Sequence, residues 1–304
     1  MGTGEDAVET RGSERRGIVI GAGCGLVGLS PWLVLGERLP LQNLWRTQTM
    51  PGAMPWAMVP LNQYYLPTIL ALLIVPGLIG GVVVRALRRP ELRMPAGQGL
   101  LVFQVVAVVQ SFAVLVPGLR LSGLAAVYVV GLAVICLLGL GIGQAVLWLI
   151  PSDRPADTAL GLILAAAPLA RWLIAPWELG LAPFGVPSAL VVAVQWLPGL
   201  MVGLVLVWCT LRRQNRLRTW VVGALVVWLV PAAFDAASSA VARNTARDGL
   251  GAVADRAFEL IRVFAGPGSS SLSGALLALG VGVAGSLGVW LVRKVRSPAQ
   301  VEQR

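Results

Sequence analysis

Residues 122–150 read SGLAAVYVVGLAVICLLGLGIGQAVLWLI, an uncharged run of 29 residues. About 20 apolar residues in a helix cross the hydrocarbon core of a bilayer. A buried strand ends after four to eight residues, so a run of this length reads as a membrane helix. It is longer than the bilayer requires, and the excess is taken up by tilt or by extension past the membrane. Seven further runs qualify outward from it: 17–36, 66–86, 99–118, 158–175, 188–211, 219–242 and 272–292. The weakest is 158–175, which is short and contains Arg171. Together they predict an all-α integral membrane protein: one polytopic domain over 17–292, a bundle of about eight transmembrane helices.

The composition agrees. Apolar residues make up 57% of the chain and charged residues 12%, about half the charge a soluble domain carries on its surface. The net charge of +10 does not point to nucleic acid, because the basic residues form no single stripe or patch. They recur at the ends of the apolar runs. With the N-terminus inside, the cytoplasmic segments hold 16 basic residues and the external segments 7. That asymmetry is the positive-inside pattern and places both termini in the cytoplasm. All but one of the 24 basic residues are arginine, the usage of a GC-rich bacterial coding sequence. The expected location is therefore a bacterial plasma membrane.

The polar residues 1–16 are expected to be a disordered cytoplasmic terminus, and 293–304 a cytoplasmic tail. Arg15-Arg16 before the first apolar run resembles a secretory n-region. The run continues through Leu35 past Cys24, which reads as an uncleaved anchor. Two long external loops are expected, 37–65 and 243–271. In the second, Leu250, Val253, Ala254, Ala257, Phe258, Ile261 and Phe264 recur at helical spacing, opposite Arg247, Asp248, Asp255, Glu259 and Arg262. This predicts an external amphipathic helix lying on the membrane or on the bundle.

Histidine is absent, which removes imidazole bases, His-ligated metals and Ser-His or Cys-His nucleophile pairs. Cys24, Cys136 and Cys209 lie inside apolar runs without paired spacing and read as small buried hydrophobes. Ser271-Leu272-Ser273-Gly274 lacks a base, and no Walker-type loop is present. The chain is expected to be no enzyme and to carry no cofactor.

Three groups of residues remain. Small residues recur four apart: Gly17, Gly21 and Gly25; Gly139 and Gly143; Gly274, Ala278, Gly282 and Ser286. Such ladders let helix backbones approach closely. They serve packing within the bundle or, alternatively, a homo-oligomer or a membrane-protein partner; the other partner is the lipid bilayer. Arg171 and Asp235 both fall in the outer half of the membrane, roughly 20 Å or more along their helices. With Gln195 at a comparable level and Glu178 at the mouth, they form a candidate polar pocket. It is either a structural ion pair or a binding or proton-coupling site. Gln104, Gln110, Ser111 and Gln144 are glue between helices first and pathway lining second. Pro117, Pro168, Pro198 and Pro231 are candidate kinks. Met50, Met54 and Met58 are soft thioethers that could select Cu(I). The interleaved prolines and the tryptophans and tyrosines nearby favour an interfacial loop instead.

Two function classes follow. One is a transporter or permease-like protein, or the membrane subunit of a transport complex. The alternative is a non-transporting assembly, scaffold or sensor protein.

Overall fold

The computed structural model describes residues 3–180, 185–212, 216–242 and 250–296. Nine α-helices are present among them: α1 (Thr3–Leu35), α2 (Leu66–Leu87), α3 (Arg93–Leu115), α4 (Gly123–Leu149), α5 (Pro155–Leu179), α6 (Ser188–Leu211), α7 (Arg216–Ala242), α8 (Leu250–Ala265) and α9 (Ser270–Arg296). Seven of them, α1–α6 and α9, are long and apolar enough to cross a membrane. Helix α7 has 27 residues, roughly 40 Å of helix, although the apolar stretch in its described part is the shorter Arg218–Ala233. The chain is an all-α, multi-pass membrane protein, and α8 is its short amphipathic helix.

The eight long helices alternate in direction. One end of the bundle collects Arg85, Arg88, Arg89, Arg93, Arg154, Arg212, Arg218 and Arg293; we call it the basic end, and the opposite end the far end. At the basic end, Arg85 donates to the carbonyls of Ile150 and Ser152 and to the Thr158 hydroxyl. Arg93 donates to the Trp148 carbonyl and stacks on its ring, 4.6 Å from the centroid. These arginines supply partners for carbonyls that the end of α4 leaves without intrahelical donors.

Two expected boundaries move. The run 158–175 is short because its edges are polar, yet α5 has 25 residues. It starts at Pro155, where a missing N–H costs nothing. It then continues through Pro168 and Pro176, which membrane helices tolerate when neighbours satisfy the freed carbonyls. The first helix begins at Thr3 rather than near Gly17, so residues 3–16, expected to be disordered, extend it. Helix propagation fixes one residue per added hydrogen bond, and Ala, Glu and Arg propagate well from an anchored span. Of the expected tail, 293–296 belong to α9; residues 297–304 lie outside the described residues, as do 1 and 2.

The glycine ladders are filled from within the chain. A methyl group at Gly21 would overlap the Ala96 carbonyl, one at Gly17 would meet Pro95, and one at Gly25 the Phe103 ring. That ladder therefore seats α3 on α1. Gly139 and Gly143 seat α4 on α2, where a methyl at Gly143 would lie 2.5 Å from the Leu73 oxygen. In the last helix the counterpart is α6: the Gly274 carbonyl faces Gly199, Ala278 faces Gly203, and Gly282 packs on Leu206 and Trp220. Ser286 completes it with a 3.1 Å hydrogen bond to Thr210. Helix α2 is the most enclosed of the spans and packs on α1, α4 and α5. Helix α5 joins the α1–α4 group to the α6–α9 group.

The loop from Gly36 to Tyr65 is folded rather than lying on the membrane. Met54, Ala57, Val59 and Leu61 enter the main apolar core beside Leu29, Leu72, Ala107 and Leu115. Its backbone has no regular ladder, so α3 and α1 supply the partners. Gln110 accepts from the Met58 N–H at 2.9 Å and donates to the Trp56 carbonyl at 3.0 Å. Ser111 accepts from the Val59 N–H at 2.8 Å. Trp32 donates to the Ala57 carbonyl at 2.7 Å. Tyr128 of α4 donates to Gln42, whose amide donates to the Leu61 carbonyl. Gln110 and Ser111 sit roughly 6–8 Å inside the end of α3. Irregular backbone is tolerated at that depth only where protein surrounds it. The loop is thus a plug that closes the far end of the α1–α4 group.

This gives a direct expectation. Ser111→Ala leaves the Val59 N–H buried without a partner, at a cost of about 1–3 kcal/mol. A lower thermal midpoint in detergent should accompany faster proteolysis near exposed Met50; unchanged cleavage would argue against this anchoring.

Candidate functional site

Among the described side chains, helix α5 carries an ion pair toward the far end of its span. Arg171 is 16 residues past Pro155, roughly 24 Å along the helix from the basic end. Arg171 and Glu178 are seven residues apart, two turns, and therefore share a face. Ala175 stands between them and is fully buried. Its methyl group leaves room for the two long side chains to meet. Arg171 Nη1 lies 2.9 Å from Glu178 Oε1, with 38% and 25% of the two side chains exposed. Thr68, fully buried near the far end of α2, donates to the other Glu178 oxygen at 3.4 Å. Arg171 Nε is buried without a hydrogen-bond partner. Next to Arg171, Trp172 donates to the Gly28 carbonyl at 2.7 Å, which fixes α5 against α1.

The structure regroups the residues of the expected pocket. Glu178, expected at its mouth, is the carboxylate that pairs with Arg171. Gln195 is exposed on α6: it lies one turn before Gly199, the first buried residue of that helix. Asp235 lies on α7, but its side chain lies outside the described residues. Thr68 was not among the expected site residues. A threonine inside an apolar run gives little sequence signal, and only the partner on α5 reveals its use.

At the basic end α5 meets α7. A cavity of about 240 Å³ lies between the first turns of the two helices, lined by Ala156, Asp157, Leu160, Ile163, Arg218, Thr219 and Val222. Asp157 is already engaged, accepting from the Ser152 hydroxyl at 2.8 Å. Ile163 forms part of the cavity wall and also belongs to the apolar cluster with Ala159, Ala166, Val202, Leu206 and Val227. Between the cavity and the Arg171 pair, α5 presents Ala165, Ala166 and Ala170, all buried. Ala165 packs toward α2 and α4, and Ala166 toward α6 and α7.

The other expected sites are placed differently. Met50 is 77% exposed, whereas Met54 is buried in the core and Met58 packs at its edge. The three thioethers therefore occupy different surroundings. Gln110 and Ser111 do act as glue, though to the plug backbone rather than to a second helix. Gln104 donates to the Leu73 carbonyl at 2.7 Å, while its oxygen has no partner. Helix α8 lies against α7: Leu260, Ile261 and Phe264 form a small cluster with Ala236, and Trp228 donates to the Ala265 carbonyl at 2.8 Å. Phe258, expected on the apolar face, is 70% exposed. The packed face is turned to include Leu260, because contact with α7 decides it rather than the mean polarity of the helix.

Comparison with protein-family models, curated proteins and solved structures returns no match. The class is accordingly defined by the fold alone: a multi-pass α-helical membrane protein with a half-buried ion pair toward one end of α5 and a cavity between α5 and α7 at the other.

Proposed function

We propose that this protein is transporter- or permease-like, with its route along the seam between α2, α5 and α7. The observation carrying this reading is the Arg171–Glu178 pair. An arginine within a span costs up to about 2.5–3.5 kcal/mol at the bilayer centre and less toward its edge; Arg171 lies roughly 12 Å inside the far end of α5, and Glu178 one residue from that end. They stand at the far end of the seam, with Thr68 of α2 bonded to the carboxylate. The cavity opens at the other end of the same seam. In an alternating-access reading the closed mouth needs a breakable contact between helices, and the Thr68–Glu178 hydrogen bond between α2 and α5 supplies it. The prolines at 168 and 176 in α5 and at 231 in α7 lie on the helices that would move. The plugged α1–α4 group supplies the fixed part. The basic end faces the cytoplasm of a bacterial cell in this reading.

The second reading is a non-transporting assembly or scaffold protein. It is favoured by the α1–α4 group, whose plug is hydrogen-bonded into place and whose glycine faces are occupied internally.

Side-specific thiol labelling separates the two. Cysteine is introduced at Ala156, half-buried in the cavity wall, or at Ala175, beneath the ion pair. The three native cysteines are buried and give little background. In proteoliposomes, a membrane-impermeant reagent should reach residue 156 from the basic side. It should reach residue 175 from the far side in a minor fraction, and ion or proton gradients should shift the balance. A residue 175 closed from both sides under every gradient would favour the scaffold.

A further inference from the structure

We infer that the junction of α2, α3 and α4 binds a buried water molecule between the side-chain amides of Gln104 and Gln144. Gln104 is fully buried. It stands 11 residues past Arg93, the first residue of α3, roughly 16 Å along the helix from the basic end. Its Nε2 donates to the Leu73 carbonyl of α2 at 2.7 Å. That bond fixes the orientation of the amide, because turning it over would set Oε1 against the carbonyl oxygen. Oε1 is buried with no hydrogen-bond partner. On α4, Gln144 Nε2 is also buried and unpaired. Buried polar atoms in native interiors are hydrogen-bonded, to protein or to ordered water.

The contacts around them place both amides in one junction. A methyl group at Gly143 would lie 2.5 Å from the same Leu73 oxygen that Gln104 engages, and Gln144 is the next residue. A methyl group at Gly97 would lie 3.3 Å from Gln144 Oε1. Gly97 precedes Gln104 by two turns on the same face of α3. Long side chains on a helix lean toward its N-terminus. Helices α3 and α4 run in opposite directions, so Gln104 leans toward the basic end and Gln144 leans away from it, each toward the other. They do not bond each other. An acceptor facing a donor suits water, which donates to Oε1 and accepts from Nε2; a buried water needs at least two such partners. A cation would require a second acceptor, and an anion a second donor. The bridge ties α3 to α4 at mid-depth, as Arg93 on Trp148 does at the basic end. It lies within the α1–α4 group and does not depend on the transport reading.

The test joins an experimental structure of the full chain, at a resolution that shows ordered water, to the thermal unfolding of three variants in detergent. We expect one density peak within about 2.7–3.2 Å of both Gln104 Oε1 and Gln144 Nε2. Gln104→Leu and Gln144→Leu should each lower the thermal midpoint, because each leaves the opposite amide buried without its bridge. Replacing both ends of a buried polar contact by apolar groups of similar shape removes that penalty. The double variant should therefore melt no lower than the worse of the two single variants, which is a coupling between the sites. A junction without density, or a direct hydrogen bond between Gln104 and Gln144, would overturn the assignment. So would single losses that simply add in the double variant. If a single variant fails to fold, the density in the parent protein decides alone.

Discussion

Gly143→Leu is expected to prevent the α1–α4 group from assembling, whereas Gly141→Leu, two residues earlier on the same helix, is expected to be tolerated. Both are glycines in a membrane helix, and composition does not distinguish them. A methyl group at position 143 would stand 2.5 Å from the Leu73 carbonyl oxygen, whereas one at 141 meets nothing within 4 Å. The obstacle at 143 is backbone of α2, which cannot rotate away as a side chain can. On the opposing helix, a methyl group at Gly77 would stand 1.9 Å from the Gly143 carbonyl oxygen, so neither side has room to yield. Overpacking a core costs about 1–3 kcal/mol and more where nothing relaxes. A leucine against two backbones belongs at or beyond the upper end of that range. That is a large share of a domain's total stability of about 5–15 kcal/mol. The readout is the yield of monodisperse protein in detergent and its thermal midpoint. A Gly143→Leu protein as stable as Gly141→Leu would show that α2 and α4 do not meet along this ladder.

The contrast between these glycines shows what the sequence disclosed and what it did not. The long apolar runs located every long helix, because a bilayer demands about 20 apolar residues and little else has that length. The four-residue spacing located the packing faces, and each ladder does carry a close helix contact. What remained hidden was the partner of each face. Gly21 gives no sign that Ala96 lies opposite it, and the spacing alone fits a second chain equally well. The plug was hidden for a related reason. Its prolines, tryptophans and methionines suit an interfacial loop, and only Gln110, Ser111 and Trp32, each unremarkable within its own apolar run, draw it into the core. Arg171 announced itself through its cost in a membrane. Its partner did not, because Asp235 and Glu178 were both acidic groups at plausible depth. The two-turn separation of Arg171 and Glu178 on one helix, with Ala175 between, is the physical signal that favours Glu178.

That pairing leads to the expectation with the greatest functional consequence. Arg171→Gln removes the cation that holds Glu178 at the far end of the seam, and Glu178 keeps only its 3.4 Å contact with Thr68. Removing one partner from a fully buried ion pair costs about 3–5 kcal/mol. Here both side chains are partly exposed, so the loss should be smaller, on the order of 1–2 kcal/mol. The loss falls on the state in which the far end is closed. A shift of about 1.4 kcal/mol multiplies the open population about tenfold, and cysteine at position 175 should react with a far-side reagent faster by a similar factor. Arg171→Glu should exceed this effect, since two carboxylates would then face each other. Adding Glu178→Arg to Arg171→Glu should restore slow labelling, because the reversed pair keeps the attraction across Ala175. A structural role alone predicts lower stability for every one of these variants without selective exposure of residue 175. Labelling that stays slow in Arg171→Gln would remove the pair as a gate, and labelling that stays fast in the double reversal would mean that Arg171 acts through some group other than Glu178.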